Sequence, residues 1–344
     1  MSCVLGLDIG GANLKAADAG RRAVSRNFDL WRDPGGLSRR LAGLIDEFPP
    51  ASLLALTMTA ELADCFETRA AGVGFVLDAV AEAARGAAVR VWQIGAGFVG
   101  PAEARKLPIQ TAAANWHALA TFAGRFAPQQ SALLIDAGST TTDIIPLQAG
   151  APAAVGATDC ERLISGELVY TGVRRTPICA VAPSVLIRGA TCPVAAELFA
   201  TMLDVHLLLG QIEADPENCQ TANGKPATVA GAHDRLARML CCDRTDLSLA
   251  DARNLATQLA QAQRMQILQA LMQVLAARRE PPDAVVVSGE GAFLATQIVH
   301  RTPALRDLPL IDLTARLSPE MSRAACAHAV AVLAAERYDA LINA

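Results

Sequence analysis

The chain has 344 residues, a formal charge of −4, 52% hydrophobic residues and only 4% aromatic ones. That length suits two mid-sized domains, each able to bury its own core, and the aliphatic composition fits helices packed on sheets better than an aromatic-rich β-sandwich. The acidic charge is spread along the chain with no basic block, which excludes nucleic acid as a partner. No apolar run reaches the about 18 residues of a spanning helix and the start does not read as a signal peptide, so a cytoplasmic protein with no membrane role is expected.

Residues 1–10 read as a buried strand ending in Asp8-Ile9-Gly10-Gly11, and a second apolar segment at 14–18 follows at once, as in a β-hairpin with a glycine turn. Asp33-Pro34-Gly35-Gly36 marks a turn before a helix. Periodicity predicts a buried strand at 53–58, a helix at 75–84, a strand at 89–94 and an Ala-rich helix at 111–126. Residues 131–147 repeat the opening grammar: an apolar strand, then Asp136-Ala137-Gly138-Ser139-Thr140-Thr141-Thr142-Asp143, then another apolar strand. Setting Asp8 on Asp136 also sets Gly10 on Gly138, an internal repeat. Helices are expected at 195–209 and 247–277, and a strand at 284–287 ending in Ser288-Gly289-Glu290-Gly291. A last helix should run from Ser318, as N-cap, through Pro319 to Tyr338. The expected units are 1–127, then 128–317 with a helical insertion, and 318–344 returning to the first, an α/β protein of two similar domains around a central cleft.

The nine cysteines include no CxxC pair and are expected to be reduced and mostly buried. The cluster Cys219, His233, Cys241 and Cys242 matches no common metal spacing. Gly95-Ala96-Gly97-Phe98-Val99-Gly100 has the GxGxxG spacing, yet Pro101 follows and no acidic residue stands about 20 positions on to hold a ribose.

A strand that ends in Asp and turns through Gly presents a carboxylate beside bare backbone N–H groups, where a phosphate can come close. Asp8 and Asp136 would hold hydrated Mg²⁺, with Asp143 as a second carboxylate in the later copy. Gly10, Gly11 and Gly138 would admit the phosphate, Asn13 and Lys15 would add a donor and a cation, and Ser139, Thr140, Thr141 and Thr142 would add hydroxyls. Two such hairpins face to face would clamp a di- or triphosphate. In the turn Ser288-Gly289-Glu290-Gly291 an adenine or other flat group could approach the backbone.

The segments LGLDIGGANLKAA, LLIDAGSTTTDIIPL and VVVSGEGAFLA resemble the phosphate-1, phosphate-2 and adenosine segments of the sugar kinase, heat-shock protein and actin superfamily, and in particular its hydantoinase and oxoprolinase branch. MTAELAD, AAANWHALA, LVYTGVRRTP and residues 221–240 are similar to the proteins labelled tetrahydromethanopterin-linked one-carbon transfer pathway proteins. This resemblance covers essentially the whole chain. It implies an actin-like ATPase (ribonuclease H-like) fold and a methanofuran synthase reaction, in which an aminomethylfuran-methyl diphosphate is joined to the phenol oxygen of a glutamyl-tyramine and diphosphate leaves. In a bacterial homologue making methylofuran, a tyrosine-derived phenol is the alternative acceptor.

Such chemistry needs the leaving group's charge met and the phenol's proton taken. Lys15 and Mg²⁺ serve the first need, and Glu61 or Asp64, just past the 53–58 strand, the second as general base. Arg174 and Arg175 could grip the diphosphate or a substrate carboxylate. His117 reads as structural, and Lys225, Arg235 and Arg238 as a solvated helix face. Two other readings stay open: an ATP-dependent kinase or hydantoinase-type ATPase of the same fold, and a nucleotide-dependent regulatory module. A homodimer is also left open.

Overall fold

The computed structural model describes residues 4–342. Met1–Cys3 of the expected first strand, and Asn343 and Ala344 of the expected last unit, lie outside the described residues. The first sheet is built from β1 (Val4–Gly10), β2 (Asn13–Asp18), β3 (Ala23–Asn27), β4 (Leu53–Thr59), β5 (Ala88–Gln93) and β6 (Gly97–Val99), in the order β3-β2-β1-β4-β5-β6. The second contains β7 (Ser131–Ala137), β8 (Thr142–Gln148), β9 (Ala151–Pro152), β10 (Leu168–Val169), β11 (Ala284–Ser288) and β12 (Leu310–Asp312). Its order is β10-β8-β7-β11-β12, with β9 on the free part of β8.

The repeat read in the sequence is a repeat of topology. In each sheet an aspartate-ending strand pairs antiparallel with its hairpin partner and parallel with a strand far along the chain. Asp8 stands opposite Lys15 on one side and Thr57 on the other. Asp136 stands opposite Asp143 and Ser288 in the same way. The apolar residues of β1, β4, β7 and β11 are buried on both faces, as strands covered by helices on either side must be.

One face of each sheet meets two helices, Asn115–Gly124 and Ala325–Ala335, in a core that runs through both sheets, from Leu53 and Ala55 by way of Leu119 and Val330 to Leu134 and Val286. Separate cores cover the outer faces, with the helix Arg69–Ala83 on the first sheet and Leu249–Ala277 and Ala292–Arg301 on the second. A fourth core fills a helical insertion built on Met202–Leu208 and Val229–Arg238.

Several expected helices are cut by backbone geometry. The run at 111–126 is interrupted by Ala113 in the left-handed region (φ 48), and its helix starts only at Asn115. The expected helix at 195–209 shrinks to Met202–Leu208, entered through a Thr201–Asp204 capping box. The last helix is three pieces, Pro319–Arg323, Ala325–Ala335 and Tyr338–Ile342, the first break falling where Ala324 leaves helical geometry at ψ 29. No described cysteine is fully buried, which corrects the expectation of buried thiols, and Cys65, Cys160, Cys219 and Cys241 are exposed. Among the described residues no helix is long and apolar enough to cross a membrane.

Candidate active site between the two hairpins

The β1–β2 register puts Lys15 beside Asp8, with Nζ 3.6 Å from Asp8 Oδ2. Burial raises the Asp8 pKa, and the neighbouring ammonium offsets only part of that. For Lys15, burial disfavours the cation, but the carboxylates of Asp8, Glu290 and Asp136 more than reverse it, so the ammonium form is held. Burial also pushes the Asp136 carboxyl up to about 7, aided by Asp143 and Asp8 and opposed by Ser288 and Lys15. The charges of Asp8, Lys15 and Asp136 are thus felt from one hairpin to the other across a single cleft. Gly10, Gly11 and Asn13 form the first turn and Gly138, Ser139, Thr140 and Thr141 the second, all half-buried at its rim.

Two residues of the second hairpin do not serve as expected. Thr142 is fully buried and its hydroxyl donates to Thr171 O at 2.8 Å, away from any phosphate. Asp143 is bound through Oδ1 to Arg162 in a buried ion pair, which already meets part of its charge. Arg174 is likewise engaged by Glu290, and Arg175 is exposed. The 172–175 loop instead caps the second turn through its backbone. Val173 N donates to Gly138 O at 3.0 Å, and the amides of Arg174 and Arg175 donate to Ser139 O at 3.0 and 2.9 Å. Those bonds satisfy the turn's Gly138 and Ser139 carbonyls from within the chain.

The turn after β11 also departs from expectation. Gly289 (φ +87) packs its bare face on Ala137 O, and a Cβ on Gly291 would lie 2.6 Å from Val173 Cγ1. These glycines are needed for the chain's own close packing, so those faces are not open to a flat ligand. Ser288 stands opposite Asp136 in the strand register and helps to hold its carboxylate form.

Glu61 lies just past β4, 2% exposed, with Oε2 lacking a partner. Burial pushes its carboxyl up to about 7, with Asp159 adding to the rise and the amides of Glu61 and Ala113 and the charge of Arg69 opposing it. Glu61 does not cap the next helix, whose N-cap is Thr68, accepting from Ala71 N at 3.1 Å. Asp64, the other candidate general base, is exposed in the following turn.

Sequence reasoning missed Arg162, Asp159, Trp116, Asn115 and Cys326. Arg162 reaches Asp159 at 3.3 Å, and its guanidinium carbon lies 4.1 Å from the ring centroid of Trp116 on the central helix. Cys326 sits on the other central helix, with Asn115 Nδ2 3.9 Å from its Sγ, and burial together with Asp8 and Asp136 holds it as the neutral thiol. The capping box Thr158–Glu161 announces the helix that carries Asp159 and Arg162, but no sequence pattern marks an arginine destined for burial. His117 is structural: Nδ1 accepts from Trp92 Nε1 at 3.2 Å, and burial pushes its pKa down to about 4.

Among the described residues eight buried side-chain polar atoms lack a partner. Six belong to these two walls: Asp8 Oδ1, Thr57 Oγ1, Glu61 Oε2, Trp116 Nε1, Asp136 Oδ1 and Arg162 Nε. Native proteins rarely leave such atoms unpaired, so the cluster marks a place shaped for a ligand. Among all the described residues, these two hairpins included, no group of three or more His, Cys, Asp or Glu residues is placed to hold a metal, and His233 bonds Leu247 O at 2.7 Å. Arg235, expected on a solvated face, is buried against Asp204 at 2.7 Å. A cavity of about 430 Å³ opens at the opposite ends of β7 and β8, but its Glu167 is already satisfied by the amides of Val155 and Gly156 at 2.6 and 2.9 Å.

Two open sheets of like topology around two central helices, with paired aspartate hairpins at the cleft, define the actin-like ATPase fold, and the chain belongs to the hydantoinase/oxoprolinase family, whose profile matches residues 53–336. It is 32% identical over 339 residues, 98% of both chains, to the (4-{4-[2-(gamma-L-glutamylamino)ethyl]phenoxymethyl}furan-2-yl)methanamine synthase of Methanocaldococcus jannaschii. The synthase of the same name from Methanococcus vannielii is 28% identical over 62% of this chain and 95% of its own. Among solved structures, nucleotide-free acetone carboxylase shares the fold with a TM-score of 0.51 at 12% identity, over 93% of this chain and 51% of the other.

Proposed function

We propose that the protein is a transferase of methanofuran or methylofuran biosynthesis, joining an aminomethylfuran-methyl diphosphate to the phenol oxygen of a glutamyl-tyramine or tyrosine-type acceptor and releasing diphosphate. The full-length likeness to a synthase named for a phenoxymethylfuran product supports this reading. The observation that carries it is the pair of buried, unpartnered carboxylate oxygens of Asp8 and Asp136, one from each hairpin, around a retained ammonium.

Asp8 Oδ1 and Asp136 Oδ1 are two buried, unpartnered carboxylate oxygens from opposite hairpins. They fit a largely hydrated Mg²⁺, which takes one or two carboxylates and keeps its other waters, while Asp143 is held by Arg162. When bound, the ion would supply charge neutralisation on the diphosphate. The chain's own groups act beside it. The Lys15 ammonium, the Asn13 amide and the hydroxyls of Ser139, Thr140 and Thr141 meet the negative charge that builds on the leaving oxygen. Glu61, with a pKa of about 7, takes the phenol proton. The phenol oxygen's electron pair forms the new C–O bond, the bond from the furan methylene carbon to diphosphate breaks, and that pair leaves with diphosphate. ATP has no step in this reaction.

The test is incubation with the furan-methyl diphosphate, Mg²⁺ and either a tyramine- or a tyrosine-type phenol, followed by mass spectrometry. An ether of the summed mass minus diphosphate is expected. Its absence in every combination, with folded protein, removes the assignment.

A further inference from the structure

The donors among the unpartnered atoms have no part in the scheme above. Arg162 Nε and Trp116 Nε1 are both N–H groups, both fully buried, and both in one stack whose guanidinium carbon lies 4.1 Å from the indole centroid. The rest of the guanidinium is committed: Nη1 donates to Asp159 at 3.3 Å, and Nη2 to Asp143 and to Glu167 O. The stack is therefore held from several sides and cannot swing to find partners for the two remaining N–H groups. Such a pair calls for an atom with lone pairs and no proton to spare, an oxygen carrying negative charge.

Glu61 approaches the same place. Its carboxyl feels the backbone of Ala113, three residues before Trp116, and the charge of Asp159, the residue Arg162 holds. Its free oxygen is an acceptor where the two neighbouring free groups are donors. That is the complement a phenol needs: one group to accept its proton and two to receive the oxygen once the proton has gone.

Resting on the ether-synthase reading, we propose that Trp116 Nε1–H and Arg162 Nε–H form a hole for the acceptor's phenolate oxygen. As the O–H proton passes to Glu61, the electron pair left on the oxygen is met by the two N–H groups. The same oxygen then bonds to the furan methylene carbon while the carbon–diphosphate bond breaks with its pair. Both residues touch the reacting atom in this arrangement. Two donors aimed at a charge that develops only during reaction act on kcat rather than on binding.

The experiment is Trp116→Phe, which keeps an aromatic ring under Arg162 and deletes the N–H, assayed with acceptors whose ring fluorination lowers the phenol pKa. With the parent phenol, kcat should fall about tenfold with KM for the diphosphate substrate unchanged, and the loss should shrink as the phenol becomes more acidic. 3-Benzothienylalanine at position 116, which keeps the bicyclic shape and replaces N–H by sulfur, should reproduce the result if the phenylalanine variant folds poorly. A wild-type kcat in both variants means the N–H groups hold only an ordered water, and the proposal is overturned. A loss of equal size for every phenol, or a raised KM for the diphosphate, assigns Trp116 to packing and overturns it too. Ether formation by the wild-type protein in the same assay separates these outcomes from failure of the parent reading.

Discussion

Asp8, Asp136 and Glu61 are carboxyls whose pKa values burial raises, and each has an oxygen with no partner. Asp8→Asn or Asp136→Asn keeps the side-chain volume while removing the charge, and each should lower kcat on the order of a hundredfold in an ether-formation assay. Glu61 must be ionised to act as base, so kcat/KM for the phenol should rise with pH and level off above about 7. The same shift has a consequence for folding. A carboxyl raised from 4.5 to about 7 in the folded state binds more protons there than in the unfolded chain. Its contribution is therefore greatest below pH 4.5 and is lost as pH rises through about 7. Denaturant midpoints should fall over that window in the wild type and fall less in Glu61→Gln.

At the scale of elements, the second phosphate-facing turn is shaped by a loop from elsewhere in the chain. A Cβ on Gly172 would lie 2.5 Å from Gly138 O, Ser139 C and Thr140 N, all backbone atoms that cannot step aside. Gly172→Ala should raise KM for the diphosphate substrate and lower stability by about 2 kcal/mol, read from kinetics and denaturant unfolding. In the helical insertion, Arg235→Met leaves Asp204 buried without its cation and should cost about 3–5 kcal/mol, whereas the double variant with Asp204→Leu should recover much of it. What the sequence discloses at this scale follows from how local each feature is. The hairpins at Asp8 and Asp136 are legible because a strand, an acid and a glycine turn sit within a few residues of one another. Arg162 and Cys326 are not, because distant segments must pack before either meets the aspartates. Thr142 and Asp143 mislead because their composition suits a phosphate turn while Thr171 and Arg162 already claim them.

For the whole molecule, the cleft joins groups from two sheets, so a ligand that spans it should stabilise the entire chain. Inorganic diphosphate with Mg²⁺ at about 100 times its dissociation constant should add about 2.7 kcal/mol to stability. Differential scanning calorimetry should show that upward shift in wild-type melting and lose it in Asp8→Asn. Much of this architecture was readable in advance, since the duplicated hairpin and the alternation of strands with helices imply two like halves. The breaks at Ala113 and Ala324 were not, because both fall at alanines, a residue type with no helix-breaking signal.

One aliphatic core threads both sheets by way of the helices Asn115–Gly124 and Ala325–Ala335. Neither half can then be an autonomous module, since each would bare the flank its counterpart had sealed. A gene bisected between codons 127 and 128 should yield two sticky, aggregation-prone fragments when expressed singly, and the intact chain should melt in one cooperative step.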